Sequence, residues 1–301
     1  MGISMISIIL YHQHFISFFP FTIFHKCGYW GVDVFLLLSG IGMVRSFQIN
    51  TMPAFYKRRF LRLLPACVVC GFLKSLIRII VEGGDPLSRI SIMGLTGMEL
   101  WFIRAIIFYY AFSPLLIYVI RKKTIVTMSL ITTVYIVSGL FFRVHDPSSF
   151  TWIVERLFVF SLGICLAVKQ EYLKNNTLSA SMVVFCITFV TTMITGRPFN
   201  SRFFNTILML AVATGTVGLC QICIYTFRML PKVCLKFCML FGKFSLELYL
   251  IHQFIFNYLE VYWSEQYYPF AFILGTSLAL AISFACHSVL SKNQFLNLGH
   301  S

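Results

Sequence analysis

Apolar residues run through this chain in long stretches, separated by short segments rich in Lys, Arg, Gly, Pro or Asn. A helix that crosses a membrane needs about 20 mostly apolar residues. Ten stretches approach or reach that length, roughly at 2–23, 29–48, 63–81, 98–120, 124–141, 151–168, 178–196, 204–227, 244–262 and 270–290. The pattern therefore predicts an all-α protein, a polytopic bundle of about ten transmembrane helices.

Composition supports a membrane protein and argues against a soluble one. Hydrophobic residues make up 58% of the 301 residues and charged residues only 11%, whereas soluble domains have about 45–50% and about 25%. The predicted spans leave no long linker or repeat between them, so we expect residues 1–301 to form a single integral-membrane domain. A β-barrel would instead show short segments of alternating polarity.

The net charge of +14 would suggest nucleic-acid binding in a soluble domain, but cytoplasmic loops of membrane proteins are also rich in Lys and Arg. With the N-terminus in the cytoplasm, the opposite side receives few basic residues, namely Lys26, Arg89, Arg143, Arg197 and Arg202. The cytoplasmic side receives Arg45, Lys57, Arg58, Arg59, Arg62, Arg121, Lys122, Lys123, Lys169, Lys174, Arg228, Lys232, Lys236, Lys243 and Lys292. We therefore predict cytoplasmic termini, contact with membrane lipids, no nucleic-acid partner, and a multi-pass location in a cell membrane.

Several ionisable or polar residues lie inside predicted spans, where such groups are costly and are candidates for function. They are His12, His14, Asp33, Ser39, Glu99, Arg104, Glu247 and His252. At a rise of about 1.5 Å per residue, His12, Ser39 and His252 lie about 13–15 Å from the nearest end of their spans. They could form one site between helices. The alternative is a set of separate hydrogen bonds that join helices.

A basic segment from Phe55 to Pro65 precedes the third predicted span. Arg59 and Arg62 are three residues apart, so in a helix they lie on one face. Paired guanidinium groups bind phosphate through bidentate, charge-assisted hydrogen bonds. The alternative interpretation is a basic patch that contacts anionic lipid.

Ten cysteines include two CxxC pairs, Cys67 with Cys70 and Cys220 with Cys223. Both pairs lie in apolar stretches without a nearby cluster of His or carboxylates. We interpret them as free, buried thiols and expect no metal site.

Five segments, taken in order, resemble the sequence elements of the acyltransferase family 3 membrane proteins. The segment 28–40 is similar to GxxGVDxFFxxSG, and 55–65 is similar to FYxRRxxRxxP. Residues 100–103 resemble LWFL, residues 160–163 resemble FxLG, and residues 243–252 resemble the late SLxxYLIH element. The resemblance extends from residue 2 to about residue 262, most of the chain.

The first helix departs from the family pattern at one position. The family carries an arginine eleven residues before a histidine that corresponds to His12, and this chain has Met1 there. Two residues eleven apart share one face of a helix, since eleven steps of about 100° come within about 20° of three turns. We therefore expect either that the reading frame begins upstream with a basic residue or that this copy is inactive.

The resemblance implies an integral-membrane acyltransferase of a bacterial inner or plasma membrane, without a bound cofactor or metal. It moves an acyl group, usually acetyl from acetyl-CoA as donor substrate, to a hydroxyl of a cell-surface glycan or lipid-linked sugar. Such a reaction needs a general base and stabilisation of an oxyanion. By analogy His12 is the catalytic base, Asp33 orients a histidine or grips the sugar, and Arg59 and Arg62 hold the CoA phosphates.

Four further residues are expected to bind substrate or support the site: Ser39, Trp101, Glu99 and His252. Trp101 could stack on a sugar or adenine, or be an ordinary core or interfacial tryptophan. Helix-rise estimates place Asp33 near the outer surface and His12 between Asp33 and the two arginines. We therefore predict a polar passage from Arg59 and Arg62 to His12, lined by protein and water.

Two other functional classes remain open. A carrier for an anionic metabolite would use the same histidines and arginines along its pathway, although the chain shows no inverted repeat. An inactive relative, serving as an assembly subunit of a polysaccharide system, would fit the missing arginine. An assay for transfer of labelled acetyl groups to a glycan distinguishes an enzyme from these two classes, because a carrier and an inactive relative would transfer none.

Overall fold

A computed structural model describes residues 1–13, 21–83, 92–141, 149–169, 175–195, 202–263 and 267–298. His14, Arg89, Arg143, Lys174 and Arg197, which the sequence analysis used, lie outside these ranges. Within the described ranges the chain forms thirteen helices and no strand. The helices are α1 (Gly2–His12), α2 (Phe21–Cys27), α3 (Trp30–Ile49), α4 (Met52–Glu82), α5 (Ile92–Leu95), α6 (Trp101–Lys122), α7 (Thr124–Phe141), α8 (Ser149–Val168), α9 (Asn175–Thr195), α10 (Arg202–Met229), α11 (Lys232–Lys243), α12 (Ser245–Tyr262) and α13 (Tyr268–Leu298).

The predicted all-α membrane bundle is confirmed. Seven helices in the described part of the chain are long and apolar enough to cross a membrane, namely α3, α4, α6, α7, α8, α10 and α13. The three other predicted spans correspond to α1, α9 and α12. Helix α12 has 18 residues but carries the buried polar residues Glu247 and His252, which lower its hydropathy. The figure of ten spans is therefore approximate.

The first predicted span is wrong in length. Helix α1 has 11 residues and ends at His12, because Gln13 adopts an extended conformation with φ −81° and ψ 135°. At about 1.5 Å per residue α1 is about 16 Å long, half of the hydrocarbon thickness of about 30 Å. The polar residues His12, Gln13 and His14 interrupt the apolar stretch at this point. The average hydropathy of residues 2–23 hides the interruption, so it does not reveal where the backbone leaves the helix.

Helix α4 begins eleven residues before its predicted start at residue 63 and includes the whole basic segment. It has 31 residues, begins after Thr51, and has a proline in its first turn, where a missing N–H costs no hydrogen bond. Arg59 and Arg62 therefore lie three positions apart on one helix, as expected.

Helices α3 and α8 pack closely at the centre of the bundle. A side chain at Gly40 would collide with the backbone of Phe160, and one at Gly163 would collide with the backbone of Leu37. Small residues at such positions let two membrane helices approach each other closely. This contact explains why the sequence elements at 28–40 and 160–163 each end in glycine. It also holds Asp33 of α3 against α8.

Candidate functional site

Two histidines from opposite ends of the chain meet inside the bundle. His12 ends α1, and Nε2 of His252 on α12 lies 3.2 Å from Nδ1 of His12. His252 is only 1% exposed, and its Nδ1 lies 2.8 Å from the Leu248 carbonyl oxygen. Nδ1 of His12 lies 3.0 Å from the Ile8 carbonyl oxygen. Both histidines are among the predicted site residues, and the tertiary fold joins them.

Asp33 forms an ion pair with Arg156 of α8, a residue that the sequence analysis missed. Asp33 is fully buried, and its second carboxylate oxygen, Oδ2, has no hydrogen-bond partner among the described residues. The Arg156 guanidinium lies 5.9 Å from the centre of the Tyr29 ring. Among the described residues Asp33 therefore pairs with an arginine and not with a histidine. An arginine within an apolar span was a visible signal, because such a charge needs a buried partner.

A cavity of about 210 Å³ opens between α3, α4, α6 and α12. Its lining includes Ser39, Arg59 and Arg62, together with Met1, the position where the family has an arginine. Arg59 donates a hydrogen bond of 2.9 Å to the Gly42 carbonyl oxygen. Three of the predicted site residues thus line one cavity at the predicted cytoplasmic end of the bundle.

The cavity extends toward the histidine pair. Tyr249 and Phe102 line it, and their ring centres are 4.7 Å apart. The Tyr249 ring centre lies 5.9 Å from that of His252. A single aromatic side chain therefore connects the wall of the cavity to the two histidines. At 210 Å³ the cavity is smaller than typical sites for drug-sized ligands, about 300–1,000 Å³.

The depth order predicted for the site is wrong. Gly31 of α3 packs against Ser4 of α1, and Gly28 packs against Tyr11, so the two helices are antiparallel. Asp33 is therefore level with the first turn of α1, whereas His12 lies about 12 Å further along the axis. The helix-rise estimate failed because it assumed that α1 crosses the whole membrane, whereas α1 ends at His12 and α3 begins beside that end.

Glu99 and Trp101 lie apart from the cavity lining. Glu99 precedes α6 and pairs with the buried Lys74 of α4, with 2.5 Å between Oε1 and Nζ. The predicted span at 98–120 begins instead at Trp101, which has its ring centre 5.4 Å from that of Trp152. This contact favours the packing role of Trp101 over the stacking role.

The cysteines are free thiols in the structure. Cys67 and Cys70 are buried, as predicted, whereas Cys220 and Cys223 are half-buried. Within the described ranges no group of three or more His, Cys, Asp or Glu side chains could hold a metal ion.

Comparison with known proteins gives one finding. A family model described as an acyltransferase domain, that of acyltransferase family 3, matches residues 2–288. No curated protein and no solved structure matches the chain. The match covers all eight predicted site residues and nearly the whole bundle. The chain therefore belongs to the acyltransferase 3 family of membrane proteins.

Proposed function

We propose that this membrane acyltransferase transfers an acetyl group from acetyl-CoA to a hydroxyl of a cell-surface glycan or lipid-linked sugar. The observation that carries the proposal is the contact between His12 and His252, close to a cavity that begins at two arginines. The histidine pair, with His252 buried and His12 half-buried, supplies a base, and the arginines supply phosphate-binding groups. Family membership supports the acyl transfer, and the resemblance of the sequence elements supports the donor and acceptor.

In this proposal the nucleotide end of the donor binds at Arg59 and Arg62. A guanidinium has five N–H donors, and the hydrogen bond to the Gly42 carbonyl oxygen occupies only part of those of Arg59. The remaining donors suit the CoA phosphates. The cavity volume of about 210 Å³ suits the narrow pantetheine arm, which carries the thioester toward Tyr249.

The reaction then proceeds at His12. The imidazole takes the proton of the acceptor hydroxyl while the hydroxyl oxygen attacks the thioester carbonyl. A C–O bond forms, and the tetrahedral intermediate collapses with cleavage of the C–S bond. The imidazolium returns the proton to the departing CoA thiolate, so that ester and CoA are the products. Excluding water around these groups limits hydrolysis of the thioester.

Labelled acetyl transfer tests the function. Inside-out membrane vesicles that contain the protein are given acetyl-CoA labelled in the acetyl group, and we expect alkali-labile label in the glycan or lipid-linked sugar fraction. Vesicles without the protein are the control. Label that enters the lumen only as a soluble molecule would indicate a carrier. The absence of label from the glycan or lipid-linked sugar fraction and from the lumen would indicate an inactive relative.

The role of the arginine pair predicts a loss of donor affinity in Arg62→Lys. Lysine keeps the charge but lacks the planar fork, and a hydrogen bond to a charged group contributes about 1.5–3 kcal/mol. We expect the KM for acetyl-CoA to rise roughly tenfold or more. The matched control is Arg58→Lys, because Arg58 is exposed and is absent from the cavity lining. Equal KM values in both variants would favour the lipid-patch interpretation.

A further inference from the structure

We infer that α11 is an interfacial helix that binds the headgroups of anionic lipids through Lys232, Lys236 and Lys243. None of the three lysines lines the cavity that contains Arg59 and Arg62, and the lipid site does not depend on the proposed acyl transfer. Its support comes from the position of α11 in the bundle, from the faces of the helix and from its charge.

Helix α11 remains on one side of the membrane. It has 12 residues, about 18 Å of helix, which is too short for a hydrocarbon layer of about 30 Å. It leads from the end of α10 to the start of α12, where Ser245 lines the same cavity as Arg59 and Arg62. Helix α11 therefore lies at the predicted cytoplasmic end of the bundle, where the chain meets the membrane surface.

One face of α11 is packed against the start of α1. A Cβ atom at Gly2 would lie 1.8 Å from the Cys238 carbonyl oxygen, and one at Gly242 would lie 3.2 Å from the Gly2 nitrogen. Cys238 and Phe241 are buried. At about 100° per residue, Cys238, Phe241 and Gly242 lie within about 100° of one another around the helix. This contact fixes which faces of α11 point away from the bundle.

The three lysines form a row on one of these outer faces. Lys236 and Lys243 follow Lys232 by four and eleven positions, so the three side chains lie within about 40° of one another around the helix. All three are exposed, and within the described ranges none of them forms an ion pair. Residues 226–246 contain Arg228 as a fourth basic residue and no Asp or Glu. The lysine row therefore suits an anion from outside the chain.

An apolar strip lies directly beside the lysine row. It consists of Val233, Phe237 and Leu240, which are exposed and lie within about 60° of one another. Met239, also exposed, borders the row on its other side. Adjacent basic and apolar strips are the pattern of a helix in the membrane interface, with its apolar side chains among acyl chains and its lysines at the headgroups. A free phosphate ion would leave the apolar strip uncovered, so the combination favours an anionic lipid.

Quenching by brominated lipids tests the site without any assay of activity. Phe237→Trp places an indole in the apolar strip, and the full chain is reconstituted in two sets of vesicles, each with equal parts of phosphatidylcholine and phosphatidylglycerol. The acyl chains of phosphatidylcholine carry bromine in one set, and those of phosphatidylglycerol carry it in the other. The signal of the unmodified protein, which has four tryptophans, is subtracted. We expect stronger quenching by brominated phosphatidylglycerol.

Phe270→Trp is the matched control. Phe270 is also exposed, but it lies at the start of α13, where the first Lys or Arg of the helix is Lys292. The two brominated lipids should therefore quench the indole of this variant equally.

The role of the lysines is tested in the background of Phe237→Trp. A basic residue near an anionic membrane surface contributes about fivefold in affinity. Lys232→Gln/Lys236→Gln should therefore lower the preference for phosphatidylglycerol about fivefold or more, and Lys232→Arg/Lys236→Arg should retain it. Equal quenching by the two lipids in Phe237→Trp, or an unchanged preference after the glutamine substitutions, would overturn the inference. An absence of quenching by both lipids would also overturn it and would show that protein, such as a second copy of the chain, covers the apolar strip.

Discussion

Replacing His12 by alanine is expected to lower the rate of acetyl transfer by about 10²–10⁴-fold, the usual contribution of a positioned general base. In the proposed reaction no other group takes the proton of the acceptor hydroxyl. The neighbouring His252 is unsuited to that task, because its Nδ1 is engaged by the Leu248 carbonyl oxygen and its Nε2 faces position 12. The KM for acetyl-CoA should change little, since Arg59 and Arg62 remain in place.

The measurement is the initial rate of transfer in vesicles that contain equal amounts of inserted protein. His287→Ala is the matched control, because this histidine belongs to α13 and pairs with Glu247. A rate within about threefold of the unmodified protein would be far below the expected loss and would remove His12 from the mechanism. A loss shared equally by His287→Ala would point to folding and not to chemistry.

The second large effect is expected on stability, at the pair of Asp33 and Arg156. Removing one partner of a buried ion pair leaves an uncompensated charge and costs about 3–5 kcal/mol. We therefore expect Arg156→Met to lower the free energy of unfolding by about that amount, measured by reversible unfolding in mixed micelles. The double variant Asp33→Asn/Arg156→Met carries neither charge and should recover most of the loss.

The pair of Lys74 and Glu99 provides the control for this prediction. Lys74→Met leaves Glu99, whose side chain is 32% exposed, whereas Arg156→Met leaves Asp33 fully buried. Lys74→Met should therefore cost much less. An Arg156→Met protein as stable as the unmodified one would contradict the expectation. The activity of the double variant then separates two roles of Asp33. Recovered transfer indicates that Asp33 serves to hold Arg156, and lost transfer in a stable protein indicates that its carboxylate also contacts the substrate.

Local sequence patterns were sufficient to predict most of the membrane-spanning helices, because apolarity over about 20 residues is a property of a single segment. The predicted span at 124–141 coincides with α7, Thr124–Phe141. The same signal failed at α1, where the helix ends at His12 within a stretch that is apolar only on average. It also missed the short helices α2, α5 and α11, which are shorter than a membrane span.

The contacts of the buried polar residues could not be predicted from the sequence. Membrane orientation depends on basic residues in loops, so it gives no information about Arg156 and Lys74, which lie inside helices. Each was a sign that a buried acid must be near, but the sequence does not say which one. Asp33 and Arg156 are 123 positions apart, and their contact depends on the close packing of α3 against α8.

The sequence by itself determined that this is a helical membrane protein of the acyltransferase type, with histidines and arginines at candidate positions. Composition, helical periodicity and short sequence elements carry that information, because each depends on neighbouring residues. The tertiary structure alone decided that His12 meets His252, which is 240 positions away, and that Asp33 meets Arg156. It also decided that Asp33 lies level with the first turn of α1, whereas His12 ends the same helix. These contacts depend on how antiparallel helices are staggered, and the relative stagger of two helices is a property of their packing and not of either sequence segment.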